Sequence, residues 1–518
     1  MKKLPLSIQI FPKLINNDCL YVDKTKIIYD LLSGNGEYFF LSRPRRFGKS
    51  LLVSTLAEIF RGNKELFKGL WIYDRIEWTA HPVIHIDLST IDFKTPEILE
   101  ESLKAFLKET AITYGVILDD KRTYKDNFVE LIKKLSSLNQ VVILIDEYDK
   151  PLLEYIETEE IEMSKNIRRV LKNFYGILKG MGAYIRFVFI TGVSKFSRVS
   201  VFSDLNNLID ITLNEKFSML LGYTEEELRY YFSSHIERMA QKEGMAPEEL
   251  LKIIREWYNG YSWDGKNFVY NPFSILSLFN TDSFDNYWFS TGTPTFLIKR
   301  IREGRDELME FENMSMEGIT FDSFDIENPD IACLLFQAGY LTIKKITKQN
   351  VVKSYELSYP NREVRESFLT NLFGEYSVKG VGEGNKILKQ MIKAISSENV
   401  EGFIQEIKSL LASIPYQIFI KEKEAYYHSL VYLAFRLSGA EIHCEDCTNT
   451  GRIDAVWETG KTVYILEFKV GTAEEALKQI KAMNYFEKYV GKEKKIVLLG
   501  IGFDPEKRNI GDYLVESL

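Results

Sequence analysis

Residues 38–50 constrain the fold of this 518-residue chain more than any other stretch. They form a short apolar run, a basic loop and the start of a helical pattern. The loop is close to the phosphate-binding pattern G-x-x-x-x-G-K-[ST], in which Gly48 permits a tight turn, Lys49 reaches the β- and γ-phosphates and Ser50 ligates Mg²⁺. Helix N-termini direct free N–H groups at such anions. The sequence therefore predicts a strand, a phosphate loop and a helix.

The first glycine of this pattern is absent, because Arg43 stands in its place and Pro44 follows. The loop consequently has one backbone donor fewer and one residue fewer that tolerates positive φ. Arg43, Arg45 and Arg46 offer side-chain donors in compensation, and Arg45 and Arg46 are predicted to bind the nucleotide. Whether nucleotide binds then depends on what else the chain supplies.

Length and composition describe several folded domains. A chain of 518 residues suggests roughly three of them, and 45% hydrophobic residues exclude a disordered chain. We predict boundaries that give domains at 1–215, 216–384 and 385–518. The net charge of −8 neither supports nor excludes a nucleic-acid partner, since a basic groove is compatible with an acidic total.

The N-terminus turns polar at residues 16–18, before a signal-peptide apolar region forms, and no later stretch approaches ~20 uncharged apolar residues. Only four cysteines occur, so a disulfide framework is not expected. These features predict a cytoplasmic protein without a membrane partner.

Apolar strands in the first domain alternate with helical stretches. The strands are predicted at 82–88, 141–145 and 185–190, with helices between them. Such alternation favours a mostly parallel sheet covered by helices on both faces, which places the chain in the α/β class.

Polar residues follow two of these strands. Asp146 and Glu147 end the strand 141–145, at the sheet edge where ligands bind in parallel α/β folds. Asp146 is predicted to hold Mg²⁺ and Glu147 to polarise the attacking water. Thr191 ends the strand 185–190 and is predicted to lie beside Asp146 near the γ-phosphate, with a simple strand cap as the alternative.

The middle domain reads as a mainly helical lid. A Thr224 cap with an acidic first turn opens one helix, and Ala246-Pro opens another. Further on, a helix over 332–338 ends at Gly339 and two strand-like runs follow. A helix with a two-stranded wing resembles a winged-helix element, which would be a DNA-contact or interdomain module.

Four motifs in order resemble the predicted AAA-ATPase-like family of bacteria, across roughly the first two-fifths of the chain. They are Asn16-Asn-Asp-Cys-Leu-Tyr-Val-Asp-Lys24, Phe40-Leu-Ser-Arg-Pro-Arg-Arg-Phe-Gly-Lys-Ser-Leu51, Leu144-Ile-Asp-Glu-Tyr-Asp-Lys-Pro-Leu152 and Ile190-Thr-Gly-Val-Ser-Lys-Phe-Ser197. In that family the arginine-rich loop is the usual form, so the resemblance implies an ATPase core that uses ATP and Mg²⁺. Asp23 and Lys24 match a family motif whose role the sequence does not give.

The C-terminal domain contains a second group of charged residues. Asp454 lies on a short strand, a hairpin turn follows, and Glu467 and Lys469 share one face of the next strand. Convergent Asp454 and Glu467 carboxylates would bind Mg²⁺, and Lys469 would stabilise charge on a phosphate. The alternative is a hairpin whose charges face water.

The order Asp454, Glu467-x-Lys469, Gln479 resembles the PD-(D/E)XK nuclease superfamily, whose domain has an α/β restriction-endonuclease-like fold. The following helix is predicted to bring Gln479 and Tyr485 to a nucleic-acid backbone, and Glu424 is a candidate upstream acid.

Together these observations predict an ATP-binding protein, an ATPase coupled to a Mg²⁺-dependent nuclease-like domain that acts on nucleic acid, with DNA favoured over RNA. A homo-oligomer is left open. The rival interpretation is a nucleotide-gated binding or signalling protein whose nuclease-like domain is catalytically inactive.

Overall fold

The computed structural model of the chain describes residues 2–157, 160–195, 201–202, 205–289, 314–317, 330–349, 352–376, 380–412, 441–447, 452–491 and 494–518. The contacts divide the chain into two compact units. The first comprises Met1–Thr293 and Met314–Val364, and the second comprises Pro294–Asn313 and Arg365–Leu518. The boundaries predicted at residues 215 and 384 remain predictions.

The N-terminal part of the first unit alternates helices and strands as the sequence predicts. In chain order the elements are α1 (Phe11–Asn16), α2 (Thr25–Leu32), β1 (Tyr38–Ser42), α3 (Lys49–Phe60), β2 (Val83–Asp87), α4 (Pro96–Thr113), α5 (Tyr124–Leu135), β3 (Val141–Asp146), α6 (Lys150–Glu157), α7 (Ile161–Gly180), β4 (Ile185–Gly192) and β5 (Ile209–Asp210).

The five strands form one parallel sheet in the order β2-β3-β4-β1-β5. Every residue of β1 and β3 is buried, as expected for strands that helices cover on both faces. The core that α3 forms with the sheet includes Leu52, Leu56 and Phe189. The predicted α/β fold class is therefore confirmed.

A helical region follows in the same unit. Its helices are α8 (Glu225–Tyr231), α9 (Ser233–Glu243), α10 (Pro247–Tyr258) and α11 (Pro272–Thr281). Thr224 and Glu227 form the capping box that opens α8, which explains why the predicted helix start is correct. Leu20 and Val22 from the N-terminal segment belong to the core cluster of these helices, so the helical region packs on the chain that precedes the sheet.

The next elements of the first unit are β6 (Met314–Glu317), α12 (Ile331–Ala338), β7 (Thr342–Gln349) and β8 (Val352–Ser358). The strands form an antiparallel sheet in the order β6-β8-β7. Gly339 ends α12 with a φ of +95°, a conformation that glycine adopts without strain. The predicted helix and wing are present, with longer strands and one additional strand; DNA contact remains a prediction.

Helix α13 (Arg362–Tyr376) begins in the first unit and continues past its boundary. The remaining elements of the second unit are α14 (Gly380–Ser396), α15 (Val400–Ala412), β9 (Glu441–Cys447), β10 (Arg452–Glu458), β11 (Thr462–Val470), α16 (Ala473–Ala482), β12 (Lys495–Asp504) and β13 (Asn509–Ser517).

The strands of the second unit form a mixed sheet in the order β13-β12-β11-β10-β9, in which only the β11–β12 pair is parallel. Helix α16 covers one face, where Leu477 and Ile480 pack with Val463 and Ile465 of β11. This domain has the α/β character predicted for it. Among the described residues, no helix is both long enough and apolar enough to span a membrane.

Candidate functional site

The phosphate loop joins the end of β1 to the start of α3. Gly48 caps this helix with a φ of +88°, in the left-handed region that favours glycine. Lys49 follows as the first helical residue and is only 4% exposed. Its Nζ donates hydrogen bonds to the carbonyl oxygens of Arg43 at 3.2 Å and Pro44 at 3.1 Å. The lysine is thus held against the loop backbone, a placement that fits its predicted phosphate contact.

The structure corrects the expectation that the Arg43 side chain takes over a phosphate contact. Its guanidinium is completely buried, donates to the Thr212 carbonyl at 3.0 Å and lies 3.8 Å from the centre of the Trp263 ring. Burial lowers the pKa of Arg43 to about 9, although Asp210 and Asp264 favour its charged form. Arg43 therefore anchors the loop to the protein interior instead of offering donors to a ligand.

Arg45 and Arg46 are placed differently from Arg43. Both side chains are exposed, and both residues line the cavity that opens beside the loop. Arg46 has a φ of +65°, and its guanidinium lies 4.8 Å from the centre of the Phe273 ring. A nucleotide contact by these two arginines stays a prediction that their exposure allows.

The acidic pair lies at the carboxyl end of β3. Asp146 is 1% exposed, and the Ser50 hydroxyl hydrogen-bonds to its side chain. Burial raises the pKa of Asp146 to about 6, against the opposing effects of Ser50 and Lys49. Glu147 is half-buried, has a φ of +52° and holds its Oε1 atom 3.9 Å from Lys49 Nζ. The structure thus brings four of the predicted site residues together: Lys49, Ser50, Asp146 and Glu147.

The strand β4 lies between β1 and β3. Thr191, near the carboxyl end of β4, therefore lies between the phosphate loop and the acidic pair. Its hydroxyl donates to the Leu41 carbonyl on β1 at 2.8 Å, and both the predicted role near the γ-phosphate and the strand cap given as its alternative stay predictions. Sequence reasoning missed Asp149, a fully buried carboxylate that accepts the N–H groups of Val193 at 3.0 Å and Ser194 at 2.6 Å. The available signal was a second acid soon after the strand that ends at Asp146.

Sequence reasoning also missed Asp87, although the strand that it ends was predicted. The register of β2 and β3 pairs Asp87 with Asp146, and Asp87 lines the cavity. Ser50, Asp146 and Asp87 offer only oxygen ligands, which suit Mg²⁺. In the part of the chain that the structure describes, no three His, Cys, Asp or Glu side chains cluster as a metal site. Ser50, Asp146 and Asp87 would hold such an ion, which would neutralise charge on substrate phosphates.

A cavity of about 700 Å³ opens from the phosphate loop. Its lining combines residues of the loop with apolar side chains of the N-terminal segment and the helical region. The apolar lining includes Leu6, Ile8, Val22, Leu220, Leu221, Pro272 and Leu276. Ligand pockets of this size are typically apolar with a few polar groups that fix orientation. The cavity is large enough for a nucleotide whose phosphates lie at the loop.

The second candidate site lies on the hairpin of β10 and β11. The register pairs Ala455 with Leu466, and its continuation by one residue places Asp454 opposite Glu467 on the same face. Asp454 Oδ2 accepts the N–H of Phe468 at 2.8 Å. Glu467 is completely buried, and its Oε1 atom accepts a hydrogen bond from Gln479 Nε2 on α16. The two carboxylates supply the oxygen ligands that Mg²⁺ prefers, so these residues fit the predicted metal.

The neighbours of Glu467 on β11 alternate as predicted. Phe468 turns to the opposite face, where its ring stacks on Phe503 with centroids 5.9 Å apart. Lys469 returns to the face of Glu467 and is half-buried. An ammonium group beside two carboxylates suits a phosphate-bearing substrate, and its contact with substrate stays a prediction.

Tyr485 and Gln479, both predicted to contact nucleic acid, are placed differently. Tyr485 is 2% exposed and belongs to the core cluster with Ile480, so the structure corrects its predicted contact with nucleic acid. Gln479 is half-buried and turns its amide to Glu467, so its contact with nucleic acid stays a prediction. The candidate acid Glu424 lies outside the described residues.

Comparisons with known proteins match a family to each end of the chain. Residues 5–202 match the family described as predicted AAA-ATPase, and residues 422–513 match the PD-(D/E)XK nuclease superfamily. A protein of Azotobacter chroococcum mcd 1 described as "Uncharacterized protein in vnfD 5'region" is 37% identical over 531 residues, which cover 100% of this chain and 99% of that protein. The chain belongs to the predicted AAA-ATPase family. It is a member that carries a PD-(D/E)XK domain at its C-terminal end.

In this AAA-ATPase the Asp23-Lys24 motif connects three parts of the first unit. Asp23 accepts the Thr25 hydroxyl at 2.6 Å and the Trp71 N–H at 2.7 Å. Lys24 Nζ lies 2.6 Å from Glu227 Oε2 on α8, and burial lowers the pKa of Lys24. Since Lys24 also lines the cavity, the motif joins the helical region to the cavity wall.

Proposed function

We propose that the first unit binds and hydrolyses ATP with Mg²⁺ and that the PD-(D/E)XK domain is a Mg²⁺-dependent nuclease, with DNA favoured over RNA. The observation that carries the ATPase assignment is the meeting of Lys49, Ser50, Asp146 and Glu147 at one edge of a parallel sheet, beside a cavity of about 700 Å³. Phosphoryl transfer depends on positioning and charge stabilisation, which this arrangement provides.

The roles of these residues follow from their placement. Lys49 and the N-terminus of α3 would stabilise negative charge on the β- and γ-phosphates. Glu147 is half-buried and lines the cavity, so its carboxylate would orient the water that attacks the γ-phosphorus. The base would contact the apolar lining of the cavity, where it is removed from water.

In the second site the reaction would be hydrolysis of a phosphodiester. A water oxygen forms the new bond to phosphorus, the bond from phosphorus to the leaving ester oxygen breaks, and a proton is transferred to that oxygen. Asp454 and Glu467 would hold the Mg²⁺ that stabilises the phosphate charge, and Lys469 would add a positive charge on the same face. The position of Asp454 opposite Glu467 supports this assignment.

We further propose that the nucleotide state of the first unit controls access of nucleic acid to the second. The presence of both sites in one chain motivates this coupling. A cytoplasmic location, expected from the sequence, also belongs to the proposal.

A second function is favoured by one specific observation. Both carboxylates of the nuclease-like site already accept hydrogen bonds from the protein, Asp454 from a backbone N–H and Glu467 from Gln479. A domain in which these bonds persist would bind nucleic acid or a protein without cutting it. The chain would then be a nucleotide-gated binding or signalling protein.

Nucleotide binding and hydrolysis test the first half of the proposal. Full-length wild type, Lys49→Ala and the control Lys26→Ala, which removes an exposed lysine outside the cavity, are compared for ATP binding by calorimetry and for phosphate release. We expect Lys49→Ala to lose both and Lys26→Ala to keep both. ATP binding that survives unchanged in Lys49→Ala contradicts the assignment of this loop.

Cleavage assays test the second half. Wild type, Glu467→Ala and the exposed control Glu474→Ala are incubated with Mg²⁺ and single- or double-stranded DNA or RNA, with and without ATP. Cleavage that Glu467→Ala abolishes and Glu474→Ala retains supports the nuclease. If wild type binds but cuts none of these substrates, the binding or signalling function replaces it.

A further inference from the structure

Segment 43–47 of the phosphate loop packs against residues far along the chain. Each residue of segment 43–47 contacts a residue between 261 and 340, in the region that follows the sheet. The contacts are Arg43 with Trp263, Pro44 with Gly339, the Arg45 carbonyl with Trp288, Arg46 with Phe273, and Phe47 with Tyr261. Gly339 lies so close that a Cβ atom there would be 2.7 Å from Pro44 Cβ.

One of these contacts is a directional hydrogen bond. Trp288 Nε1 donates to the Arg45 carbonyl oxygen at 3.0 Å, and the indole is 5% exposed. The backbone N–H of Trp288 in turn donates to Glu363 Oε1 at 2.6 Å, and the other Glu363 oxygen accepts the Ser274 hydroxyl at 2.8 Å. A continuous set of hydrogen bonds therefore runs from the loop backbone to the buried carboxylate of Glu363.

The bond to Arg45 fixes more than one atom of the loop. In a trans peptide the C=O of one residue and the N–H of the next point in opposite directions. With the Arg45 carbonyl held by Trp288, the Arg46 N–H faces away from the indole. Arg46 has a φ of +65°, and left-handed residues within loops help form the concave sets of N–H groups that bind anions. The indole thereby orients a donor of the loop in which phosphate is expected.

Glu363 lies in the first turn of α13, which starts at Arg362. The helix continues to Tyr376, past the boundary between the two units, and so leads into the unit that carries the nuclease-like domain. A shift of the Arg45 peptide on nucleotide binding would move Trp288, and Trp288 would move or release the first turn of this helix. The path has two hydrogen-bonded steps and no solvent-exposed side chain.

We propose that Trp288 and Glu363 are positioning residues of the nucleotide site, which hold the Arg45–Arg46 peptide in its phosphate-binding orientation and report nucleotide occupancy to the start of α13. The inference rests on the proposed ATP site and adds its regulation. Neither residue lines the cavity, so both act through the loop backbone.

The first test separates positioning from packing. Trp288→Phe removes the indole N–H and keeps an aromatic ring against Tyr340. Trp78→Phe is the matched control, since Trp78 Nε1 donates to the Tyr73 carbonyl at 2.9 Å and does not line the cavity. Losing one neutral hydrogen bond to a reacting site corresponds to about a threefold to tenfold change in rate. We expect Trp288→Phe to lower the kcat of ATP hydrolysis by that factor with KM nearly unchanged, and Trp78→Phe to match wild type.

Glu363 variants keep the proposal testable if Trp288→Phe fails to fold. Glu363→Gln retains an acceptor for the Trp288 N–H and a donor for Ser274, whereas Glu363→Ala removes both of these hydrogen bonds. We expect Glu363→Gln to keep the wild-type kcat and Glu363→Ala to lower it at least as much as Trp288→Phe. Equal kcat values for the alanine and glutamine variants would overturn the positioning role.

Hydrogen–deuterium exchange of the full chain tests whether nucleotide binding changes the first turns of α13. With Mg²⁺ and ATPγS, amides in the first turns of α13 should exchange at least about twofold more slowly in wild type and in Trp78→Phe, and this difference should vanish in Trp288→Phe. A wild type that binds ATPγS without any change in α13 overturns the inference alone. A wild type that binds no nucleotide overturns the proposed ATP site, and the inference fails with it.

Discussion

The two candidate sites are built by different means. At the phosphate loop, backbone geometry places the key groups, since Gly48 ends the loop, α3 begins at Lys49 and the lysine is held by two carbonyl oxygens of the loop itself. At the hairpin of β10 and β11, side chains hold one another, because Glu467 accepts the amide of Gln479 on another element. The lysine of the first site is thus held by the local backbone, whereas Glu467 of the second site is held by the packing of a helix on a sheet.

This difference determines how each site should fail. The phosphate loop should tolerate changes of side chains that neither contact the nucleotide nor hold the loop backbone. A site made by convergent side chains depends on each of them and on those that orient them. Substitutions at the two sites should therefore differ both in which activity they lower and in how far they lower it.

The largest expected effects are losses of one activity at a time. Glu147→Gln should lower ATP hydrolysis by about a hundredfold or more with ATP binding retained, because it removes the carboxylate that orients water and keeps Lys49 and the loop. Glu467→Gln should lower cleavage by a similar factor and leave ATP hydrolysis unchanged. Steady-state phosphate release and cleavage of labelled DNA measure the two activities.

Glu101→Gln and Glu474→Gln are matched controls, since both glutamates are exposed and neither lines the cavity. Each should retain both activities within about twofold. If Glu147→Gln hydrolyses ATP at the wild-type rate, another group orients the water and the role proposed for Glu147 is wrong.

The next effect is on stability and concerns Arg43. Arg43→Gly restores the glycine of the standard phosphate-loop pattern, but it also removes a buried guanidinium that bonds the Thr212 carbonyl and stacks on Trp263. We expect a loss of about 3 kcal/mol in the free energy of unfolding, from the unpaired carbonyl and the cavity left behind. Differential scanning calorimetry measures it as a lower apparent Tm.

Arg45→Ala is the control for this change, because it removes an exposed arginine of the same loop and keeps the backbone carbonyl that Trp288 binds. Its stability should stay within about 0.5 kcal/mol of wild type. Should Arg43→Gly prove as stable as Arg45→Ala and bind ATP more tightly, Arg43 is a remnant and not an anchor.

Sequence reasoning was most successful where short-range patterns determine structure. The strand that ends at Asp146, the Thr224 cap and the stop at Gly339 all follow from apolar runs and from capping or left-handed residues within a few positions. The register of the C-terminal hairpin was accessible for the same reason, because alternation puts Asp454 and Glu467 on one face.

It was less successful where a residue meets partners far along the chain. Arg43 was read with the other loop arginines because only its position in the motif was visible, and Trp263 lies 220 residues away. Tyr485 was read as a surface residue because an aromatic side chain on a helical stretch fits a core as well as a binding face. Asp87 was overlooked because only the sheet order places its strand beside β3.

A smaller effect should appear in the pH dependence of stability. Burial raises the pKa of Glu363 from the ordinary 4.5 to about 7; hydrogen bonds from Trp288 and Ser274 oppose the shift, and the Asp285 charge adds to it. The folded state therefore holds this proton more tightly than the unfolded chain. The resulting stabilisation is complete below about pH 4.5 and is lost as the pH rises through 7.

Glu363→Gln removes this titration with little change of shape. Between pH 5 and 8, wild type should lose about 2 kcal/mol more stability than Glu363→Gln, measured as the difference of their apparent Tm values at each pH. Other titrating groups are common to both proteins and cancel in this difference. Parallel Tm profiles would mean that Glu363 is already ionised in the folded protein at pH 5.

The smallest expected effect tests whether side-chain support matters at the nuclease-like site. Gln479→Ala removes the amide that donates to Glu467 and should lower cleavage about tenfold, in line with losses of groups that orient metal ligands. Gln479→Glu puts a like charge beside the buried carboxylate and should lower cleavage further. Lys478→Ala, on the preceding exposed position of α16, is the control. If Gln479→Ala instead raises cleavage, the amide blocks Glu467, and the domain as it stands is held in an inactive state that nucleic acid or nucleotide must release.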